Sequence, residues 1–368
     1  MTPDPSTHRD VHPVDVEDLR VRVHKALEDF LTAQADVLER VSPDCVPMVE
    51  YIADLVRGGK RLRPAFCYWG WRGAGGPDTP AIAQSAASLE FFQAAALIHD
   101  DVMDGSDTRR GMPAVHRRFA TLHRGSGWTG DGERFGLSGA VLAGDLCLVW
   151  SSEAFLTGGL DAAALARGLP VFDRMRTELM GGQYLDILEQ AVAGQRHEGA
   201  ADRARKVIKY KSAKYSVEEP LLLGGALAGA DPGLLAAYSA FGLPLGEAFQ
   251  LRDDVLGVFG DPEQTGKPAG DDLREGKRTV LVAYALENAT PAQAAIVRTL
   301  LGDPHLEAHG VEAVREVILD TGALDRVEQL IEDLVGQAHD VLATADVADE
   351  VARSVLSGLV SAATARAA

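Results

Sequence analysis

The chain has 368 residues, of which 46% are hydrophobic, enough for one large domain or two ordinary ones. Lys and Arg total 36 against 54 Asp and Glu, so the net charge is −18. This balance argues against a nucleic-acid partner, which needs a basic face to replace counterions, and against an anionic membrane surface. The three cysteines, Cys45, Cys67 and Cys147, form no C-x-x-C pair, which indicates a reducing compartment.

Two further features argue against export and membrane insertion. Residues 1–18 are acidic and lack the apolar core of a signal peptide. The longest apolar region, residues 221–249, is interrupted by Asp231, Pro244 and Glu247, so no integral membrane segment is expected. We therefore expect a cytoplasmic protein.

Apolar residues recur three and four positions apart through most of the chain, which predicts an all-α fold with few or no strands. Near the start, for example, Leu19, Val23 and Leu27 share one helix face. In chain order, the predicted helices cover residues 16–38, 79–104, 139–155, 163–188, 201–223, 234–259, 279–287, 291–301, 311–319 and 324–342.

The segments between these helices suggest how the chain is organised. Residues 1–14 are expected to be a disordered tail, and residues 15–368 a single domain. The Gly-rich runs 123–136 and 260–276 are predicted to be long loops, and long loops in a compact domain are often functional.

Two nucleotide-binding patterns are present only in part. Gly125, Gly127 and Gly130 match G-x-G-x-x-G, but no strand precedes them, so a dinucleotide site is not predicted. Lys267 and Lys277 each follow a glycine, as in a P-loop. The upstream glycine spacing is wrong, however, and no Ser or Thr follows either lysine.

Two clusters of aspartate lie at the ends of apolar segments. Asp100, Asp101 and Asp104 end the run AAALIHDDVMD, and Asp253 and Asp254 lie within FQLRDDVLGVFGD. Residues four apart share a helix face, where two carboxylates repel each other and apolar surroundings desolvate them. One such cluster is often a solvated surface face, but two are hard to explain structurally. Grouped carboxylates without His or Cys suit Mg²⁺, which commonly bridges carboxylates to phosphates.

Basic residues are grouped around these clusters. They are Lys60, Arg61 and Arg63 in GGKRLRP, Arg109 and Arg110 in DTRRG, Lys211 and Lys214 in KYKSAKYS, and Lys267 and Lys277 in GKPAGDDLREGKRT. Any one alone is more often a solvated surface charge. An arginine fork binds phosphate oxygens bidentately, and a lysine adds a point charge. Interleaved with metal-binding acids, these groups predict a substrate that carries diphosphate.

In this order, GGKRLRP, LIHDDVMD, RRG, FQLRDD and GKPAGDDLREGKRT resemble the polyprenyl (trans-isoprenyl) diphosphate synthase family, over about residues 58–279. The resemblance implies a prenyltransferase that joins isopentenyl diphosphate head-to-tail to an allylic prenyl diphosphate, with three Mg²⁺ per active site. It also implies an isoprenoid synthase-type helical bundle around a deep cavity, assembled as a homodimer.

The resemblance also assigns roles by matching position. Metal binding falls to Asp100, Asp101, Asp104, Asp253 and Asp254. Binding of isopentenyl diphosphate is assigned to Lys60, Arg63, Gln93 and Arg110. Binding of the allylic diphosphate is assigned to Arg109, Lys211, Ser212, Gln250, Lys267 and Lys277. The residues expected to be catalytic are Asp100, Asp104, Arg109, Lys211 and Asp253. One position departs from the family: Gly257 stands where the second motif usually has its third aspartate, which implies weaker water-mediated support for the metal.

Product length is argued from the helix before Asp100, because in the family the growing chain runs beside it. Ala96 and Ala95 lie four and five residues before Asp100, and Phe92 and Phe91 eight and nine before. A helical turn rises about 5.4 Å, roughly one isoprene unit, so alanines would let a C15 chain pass and a phenylalanine would stop it one unit later. This predicts C20, geranylgeranyl diphosphate; C15, C25 or longer products remain alternatives, and the alanines could simply pack against a neighbouring helix.

Two other classes of protein share part of this pattern. A class I terpene cyclase also carries DDxxD, but its second metal motif combines Asn or Asp with Ser and Glu, and the only asparagine here is Asn288, far from such a pattern. A non-catalytic partner subunit of a prenyl synthase usually lacks one aspartate motif, whereas this chain largely retains both. The two classes are therefore weaker alternatives.

Overall fold

A computed structural model describes residues 12–192, 198–260 and 270–364. The predicted all-α fold is confirmed, and the only strands in these ranges are a two-residue antiparallel pair, β1 Thr108–Arg109 with β2 Met112–Pro113. The α-helices are α1 Leu19–Val41, α2 Val46–Arg57, α3 Leu62–Gly73, α4 Pro80–Asp104, α5 Val115–Gly125, α6 Gly132–Thr157, α7 Ala162–Val192, α8 Ala200–Val207, α9 Glu219–Ala228, α10 Pro232–Phe259, α11 Asp271–Arg274, α12 Val280–Asn288, α13 Pro291–Leu300, α14 Ala308–Asp320, α15 Ala323–Thr344 and α16 Glu350–Thr364.

The segment predicted as one helix over residues 201–223 contains three. A π-helix, Ile208–Glu218, separates α8 from α9. π-Helical turns are rare and often occur at functional sites, because the wider turn re-aims the side chains that follow. Short 3₁₀ turns, Pro13–Asp18 and Pro43–Cys45, precede α1 and α2.

Two boundary predictions differ from the structure. Val14 is fully buried within the first 3₁₀ turn, so ordered chain begins before residue 15; residues 1–11 lie outside the described ranges. Most of the predicted loop 123–136 is helical, because α5 continues to Gly125 and Asp131 caps α6 by accepting the backbone N–H of Glu133. Within the predicted loop 260–276, residues 261–269 lie outside the described ranges.

The sequence prediction missed α3, since this helix has no polar face. Phe66, Tyr68 and Trp69 are all fully buried, although Tyr68 projects from a different side of the helix than Phe66. Periodicity identifies only half-exposed helices, so a helix buried all round looks like an irregular apolar run. Helices α2, α5 and α16 were missed as well.

The core consists of two clusters of buried apolar residues, and two helices contribute to both. On α10, Leu245 belongs to the first cluster and Leu251 to the second. On α15, Leu342 belongs to the first and Ile331 to the second. Helices α10 and α15 therefore connect the half of the fold built on α3 and α4 with the half built on α12 and α14.

By length and composition, two helices in the described ranges are apolar enough to cross a membrane, α4 and α6. The most apolar stretch of α4 is 78% buried inside the protein, as expected for a core helix. The corresponding stretch of α6 is only 39% buried. Helix α6 therefore leaves an extensive apolar face uncovered in the single chain.

Close helix contact at a glycine generates a first prediction. A Cβ added to Gly224 on α9 would overlap the carbonyl oxygen of Cys67 and lie 2.7 Å from the backbone nitrogen of Trp71, both on α3. Since backbone cannot move aside cheaply, Gly224→Ala should destabilise the protein by about 1–3 kcal/mol and lower its thermal unfolding midpoint.

Gly336→Ala is the matched control for this change. Gly336 lies within α15, and a Cβ there would meet no atom within 4 Å. Alanine favours a helix over glycine by up to about 1 kcal/mol, so the midpoint should stay unchanged or rise. Equal losses in the two variants would contradict the close approach of α3 and α9.

Candidate active site

A cavity of about 930 Å³ lies between α3, α4, α7, the π-helix and α10. It is lined by most of the residues that the sequence analysis selected. They are Lys60, Arg63, Gln93, Ala96, Asp100, Arg109, Arg110, Lys211, Ser212, Gln250, Asp253, Asp254, Gly257 and Lys277. Lys267 lies outside the described residues. Side chains that are up to 217 positions apart in the sequence therefore surround one volume.

The first acidic motif occupies the last turn of α4, which ends at Gly105 with a left-handed φ of 67°. Asp100 accepts hydrogen bonds from Lys211 Nζ at 3.0 Å and Gln183 Nε2 at 3.0 Å. Burial would raise the pKa of Asp100, but the charges of Lys211, Lys277 and Arg109 hold it below its usual value. Asp100 is therefore ionised.

Asp104 lies one turn further along the same face and is not neutralised in this way. Its Oδ2 atom is buried and has no hydrogen-bond partner among the described residues. Burial and the neighbouring Asp100 carboxylate raise the pKa of Asp104 to about 7. In the part of the chain that the structure describes, one carboxylate oxygen of this motif therefore has no hydrogen-bond donor, although the charges of Lys211 and Lys277 partly oppose the rise in pKa.

Asp101 faces away from the other two aspartates, because successive residues on an α-helix point about 100° apart. It is 2% exposed and accepts two hydrogen bonds from the Arg109 guanidinium. This geometry favours a role in holding Arg109 over direct metal binding. Since burial opposes the charge of Arg109 and the Asp101 and Asp100 carboxylates favour it, the pKa of Arg109 is raised above its usual value.

The second acidic motif lies on α10, which lines the same cavity. Asp253 and Asp254 both line the cavity, and Gln250 Nε2 donates to Asp254 Oδ1 at 2.8 Å. Burial, followed by the charge of Asp272, raises the pKa of Asp254 to about 8. A second group of desolvated carboxylates therefore lines the same cavity as the first.

Two buried lysines pair with carboxylates around the cavity. Lys211, on the π-helix, donates to Asp100 and also to Asp186 Oδ2 at 2.5 Å. Lys277 lies 3.0 Å from Asp272 Oδ1 and 2.6 Å from Glu275 Oε2. Burial would lower the pKa of each lysine, but the carboxylates raise both values above normal, so both side chains are charged.

A second basic region lies at the α3 end of the cavity. Arg63 Nη2 donates to Ser216 Oγ at 2.6 Å, and its guanidinium stacks 4.3 Å from the centre of the Tyr215 ring. Arg110 donates to the Leu55 carbonyl at 2.8 Å. Burial and the neighbouring Arg63 lower the pKa of Arg110, although Glu90 opposes this. An anion at this end would relieve the repulsion between arginines.

Several residues of the cavity were not identified from the sequence. Gln183 and Asp186 on α7 orient Asp100 and Lys211. Polar residues three apart in an otherwise apolar helix face would have indicated this pair. Arg61, although noted in the basic group, is buried against Glu90 and does not act as a free cation.

The residues proposed to control product length occupy different environments. Of the four, only Ala96 is among the described cavity-lining residues. Ala95 is fully buried; the ring of Phe91 packs 4.9 Å from that of Phe30, behind α4. The ring of Phe92 lies 6.2 Å from that of Tyr215, which does line the cavity. Both phenylalanines therefore belong to the buried core, and Phe92 also lies beside a ring that lines the cavity.

The acidic groups suit a Mg²⁺ ion that is also bound by a ligand better than a Mg²⁺ ion held by protein atoms alone. In the described ranges, no three Asp, Glu, His or Cys side chains are gathered closely enough to hold a metal ion. Asp104 nevertheless presents a buried oxygen without a partner among these residues, and all the candidate donors are carboxylates. Mg²⁺ usually takes one or two carboxylates and completes its shell with water and phosphate oxygens, so these residues fit it.

An all-α bundle with two acidic motifs and buried cations around one cavity is the arrangement of a trans-prenyltransferase. The sequence pattern described as polyprenyl synthetase matches residues 45–318, and the chain belongs to that family.

Individual relatives differ in the product that their names state. The structure of geranylgeranyl pyrophosphate synthase from Corynebacterium glutamicum, complexed with isoprenyl diphosphate and magnesium, superposes with a TM-score of 0.89 at 42% identity, covering 94% of this chain and 98% of that one. Geranylfarnesyl diphosphate synthase of Aeropyrum pernix is 31% identical over 82% of this chain and 88% of its own. Octaprenyl diphosphate synthase of Escherichia coli is 29% identical over 90% and 94%. These names span several product lengths.

The pKa of Asp104 generates a prediction for the metal-free protein. Its folded value of about 7 lies above the ordinary 3.8, so the folded state binds more protons between these values, and stability falls as the pH rises through this interval. Asp104→Asn removes the repulsion. The variant should therefore melt at a higher temperature than the wild type above pH 7, and the gain should disappear towards pH 4.

Thermal unfolding in a chelating buffer at several pH values measures this difference. Asp107→Asn, at a carboxylate that is 73% exposed, is the charge-matched control and should give no comparable gain. If Asp104→Asn melted at a lower temperature than the wild type at high pH, this would contradict the repulsion between Asp104 and Asp100.

Proposed function

We propose that this trans-prenyltransferase condenses isopentenyl diphosphate with allylic diphosphates up to C20, geranylgeranyl diphosphate, with three Mg²⁺ per active site. The observation that carries the proposal is one cavity lined by both acidic motifs and by Lys211 and Lys277. Lys211 pairs with Asp100, and the charge of Lys277 acts on both Asp100 and Asp254. We also propose that residues 15–368 act as one domain and that the enzyme is cytoplasmic.

Asp100, Asp104 and Asp253 would hold the metal ions. When bound, Mg²⁺ would neutralise the allylic diphosphate and make it a better leaving group. Lys211 and Lys277 would stabilise the negative charge that grows on the diphosphate as its bond to the allylic carbon breaks. Arg109 would contribute from behind Asp100, where Asp101 fixes its guanidinium.

The protein must keep water from the allylic carbocation that remains. Leu97, Leu179 and Phe249 supply apolar surface within the cavity. Lys60, Arg63 and Arg110 would hold isopentenyl diphosphate so that its double bond faces the cation. A carbon–carbon bond then forms, and a proton passes from the adduct to the released diphosphate. No side chain is needed as a nucleophile.

Incubation with Mg²⁺, isopentenyl diphosphate and each allylic diphosphate, followed by sizing of the product, tests this proposal. Linear C20 diphosphate is expected. A cyclised hydrocarbon would instead indicate a terpene cyclase, and no product from any pair would indicate a non-catalytic subunit.

The metal assignment gives a prediction for the first acidic motif. Asp100→Ala or Asp104→Ala should lower turnover by at least about 100-fold, because each removes a carboxylate that would hold a metal ion at the leaving diphosphate. Steady-state assays in Mg²⁺ measure this. Asp107→Ala, three residues beyond Asp104 but exposed, should stay within about twofold of the wild type. Near-normal turnover without Asp100 or Asp104 would make the assignment wrong.

Product length gives a second prediction for this enzyme. Phe92→Ala should deepen the cavity behind Tyr215 and add products longer than C20, whereas Ala96→Phe should place a ring in the cavity and shift products towards C15. Phe91→Ala is the control, since Phe91 packs against Phe30 and away from the cavity. It should cost about 3–5 kcal/mol of stability without changing the product.

Chromatographic sizing of the prenyl chains gives the readout for these variants. A longer product from Phe91→Ala but not from Phe92→Ala would place the end of the cavity on the other side of α4. Unchanged products from both, and from the double variant, would remove the basis of the C20 proposal.

We also propose a homodimer formed through α6. Phe135, Leu142, Val149 and Leu156 recur every seven residues along this helix and are 38–61% exposed. A repeat of seven places side chains along one helix face, so the single chain presents a continuous apolar stripe. A second copy would cover it.

Leu142→Glu should therefore produce monomers, because it would bury a charge in the proposed interface. Light scattering after gel filtration measures the mass. Val21→Glu is the control, since Val21 on α1 is 67% exposed and lies apart from the stripe, and it should leave the mass unchanged. A wild-type monomer, or an equal effect of both changes, would contradict this interface.

A further inference from the structure

Lys214, the second lysine of KYKSAKYS after Lys211, belongs to a buried ion cluster. Among the described residues, Lys211 lines the cavity and Lys214 does not. Lys214 Nζ donates to Glu218 Oε2 at 3.0 Å and to Glu219 Oε1 at 3.2 Å. It also lies 3.1 Å from Glu178 Oε2 on α7. Burial would lower the pKa of Lys214, but these carboxylates hold it above its usual value, so the side chain is charged.

Neighbouring helices hold the two glutamates in turn. Arg174 on α7 donates to both carboxylate oxygens of Glu219, at 3.1 and 2.8 Å. Ser239 Oγ on α10 donates to Glu218 Oε1 at 2.5 Å. Both glutamates are buried, Glu219 completely. Because charges out of water are stable only with well-placed partners, the cluster fixes the end of the π-helix against α7 and α10.

The contact between Lys214 and Glu219 depends on the π-helical turn. The backbone N–H of Glu219 donates to the carbonyl of Lys214, five residues earlier, which is the hydrogen bond of a π-helix. In an α-helix, side chains five residues apart point about 140° apart around the axis and do not meet. The π turn brings them to one side, so the ion pair favours the π arrangement over the α arrangement.

The same turn sets the direction of Lys211 relative to the cluster. Lys211 lies three residues before Lys214, and it donates to Asp100 and Asp186 at the cavity. Residues three apart in an α-helix differ by only about 60° around the axis, so an α-helix would direct both lysines to nearly the same side. The wider π turn separates them further, and each lysine reaches its own carboxylates.

We propose that Lys214 is a positioning residue for the prenyl transfer: by joining Glu218 and Glu219 it holds the π-helical turn, and thereby keeps Lys211 directed at the diphosphate site. The inference rests on the proposed function, since it needs a diphosphate that leaves beside Lys211. Lys214 acts through Lys211 and touches no substrate. A displaced Lys211 would stabilise the leaving diphosphate less well, whereas binding of isopentenyl diphosphate at the α3 end of the cavity should not change.

Steady-state kinetics of Lys214→Met test this role. The variant should lower kcat about tenfold and leave the KM for isopentenyl diphosphate within about twofold of the wild type. Lys214→Met leaves buried carboxylates without their cation and costs stability. Lys214→Met/Glu218→Met instead removes two opposite charges together, which is often neutral for stability, and it should lose as much turnover. Thermal unfolding gives the folded fraction to which each rate is referred.

A double-mutant cycle with Lys211→Met separates positioning from general destabilisation. If Lys214 acts through Lys211, then Lys214→Met should change kcat by less than about twofold when Lys211 is already methionine. Two independent contributions would multiply instead. Lys206→Met is the matched control, because Lys206 is an exposed lysine on α8, and it should leave kcat within about twofold in both backgrounds.

The possible results distinguish this inference from the function beneath it. A wild-type protein that forms no product from any pair of substrates would contradict the proposed function itself. An active wild type with unchanged kcat in folded Lys214→Met/Glu218→Met would overturn only the role of Lys214. Losses that multiply in the cycle would also overturn it, as would an equal loss in Lys206→Met or a KM for isopentenyl diphosphate that rises as much as kcat falls.

Discussion

The site depends on buried carboxylates that the protein does not fully neutralise. Lys211 and Gln183 satisfy Asp100, yet Asp104 retains an oxygen without a partner among the described residues, and its pKa rises to about 7. At the second motif, burial and Asp272 raise the pKa of Asp254 to about 8. Each raised pKa shows that the surroundings disfavour the charged carboxylate, so a cation that binds beside Asp104 or Asp254 would lower that pKa and restore the charge. In the function that we propose, this cation is Mg²⁺ bound to a diphosphate.

The helices hold these charges in place through close backbone contacts. A Cβ at Gly182 on α7 would lie 2.8 Å from Lys211 Cα on the π-helix, so the two elements can approach only because position 182 is glycine. This approach lets Lys211 reach Asp186 on α7 and Asp100 on α4 at once. The Lys211 ammonium group is therefore oriented by contacts to α4 and α7 while its backbone lies in the π-helix. A cation fixed in this way suits the stabilisation of developing charge that we propose for it.

The sequence predicted best where function depends on residue type and local spacing. Asp100 and Asp104 share a helix face because they are four residues apart, and this holds in any α-helix. The direction of Asp101 depends on where Arg109 folds back after the hairpin, and the proximity of Gly257 to Asp272 depends on how α11 docks on α10. Phe91 and Phe92 are adjacent on α4, yet packing places the ring of Phe92 beside Tyr215 of the cavity and the ring of Phe91 beside Phe30. Such contacts are non-local, so a periodic pattern cannot reveal them.

Calorimetric titration of Mg²⁺ into the protein, with and without inorganic diphosphate, tests the central claim most directly. If the acidic motifs and the diphosphate complete one site together, each ligand must strengthen the binding of the other by the same factor. We expect weak Mg²⁺ binding alone and much tighter binding with diphosphate, and the reciprocal increase for diphosphate. Mg²⁺ binding of equal affinity in both titrations would show that the carboxylates act independently of the anion and would contradict the account.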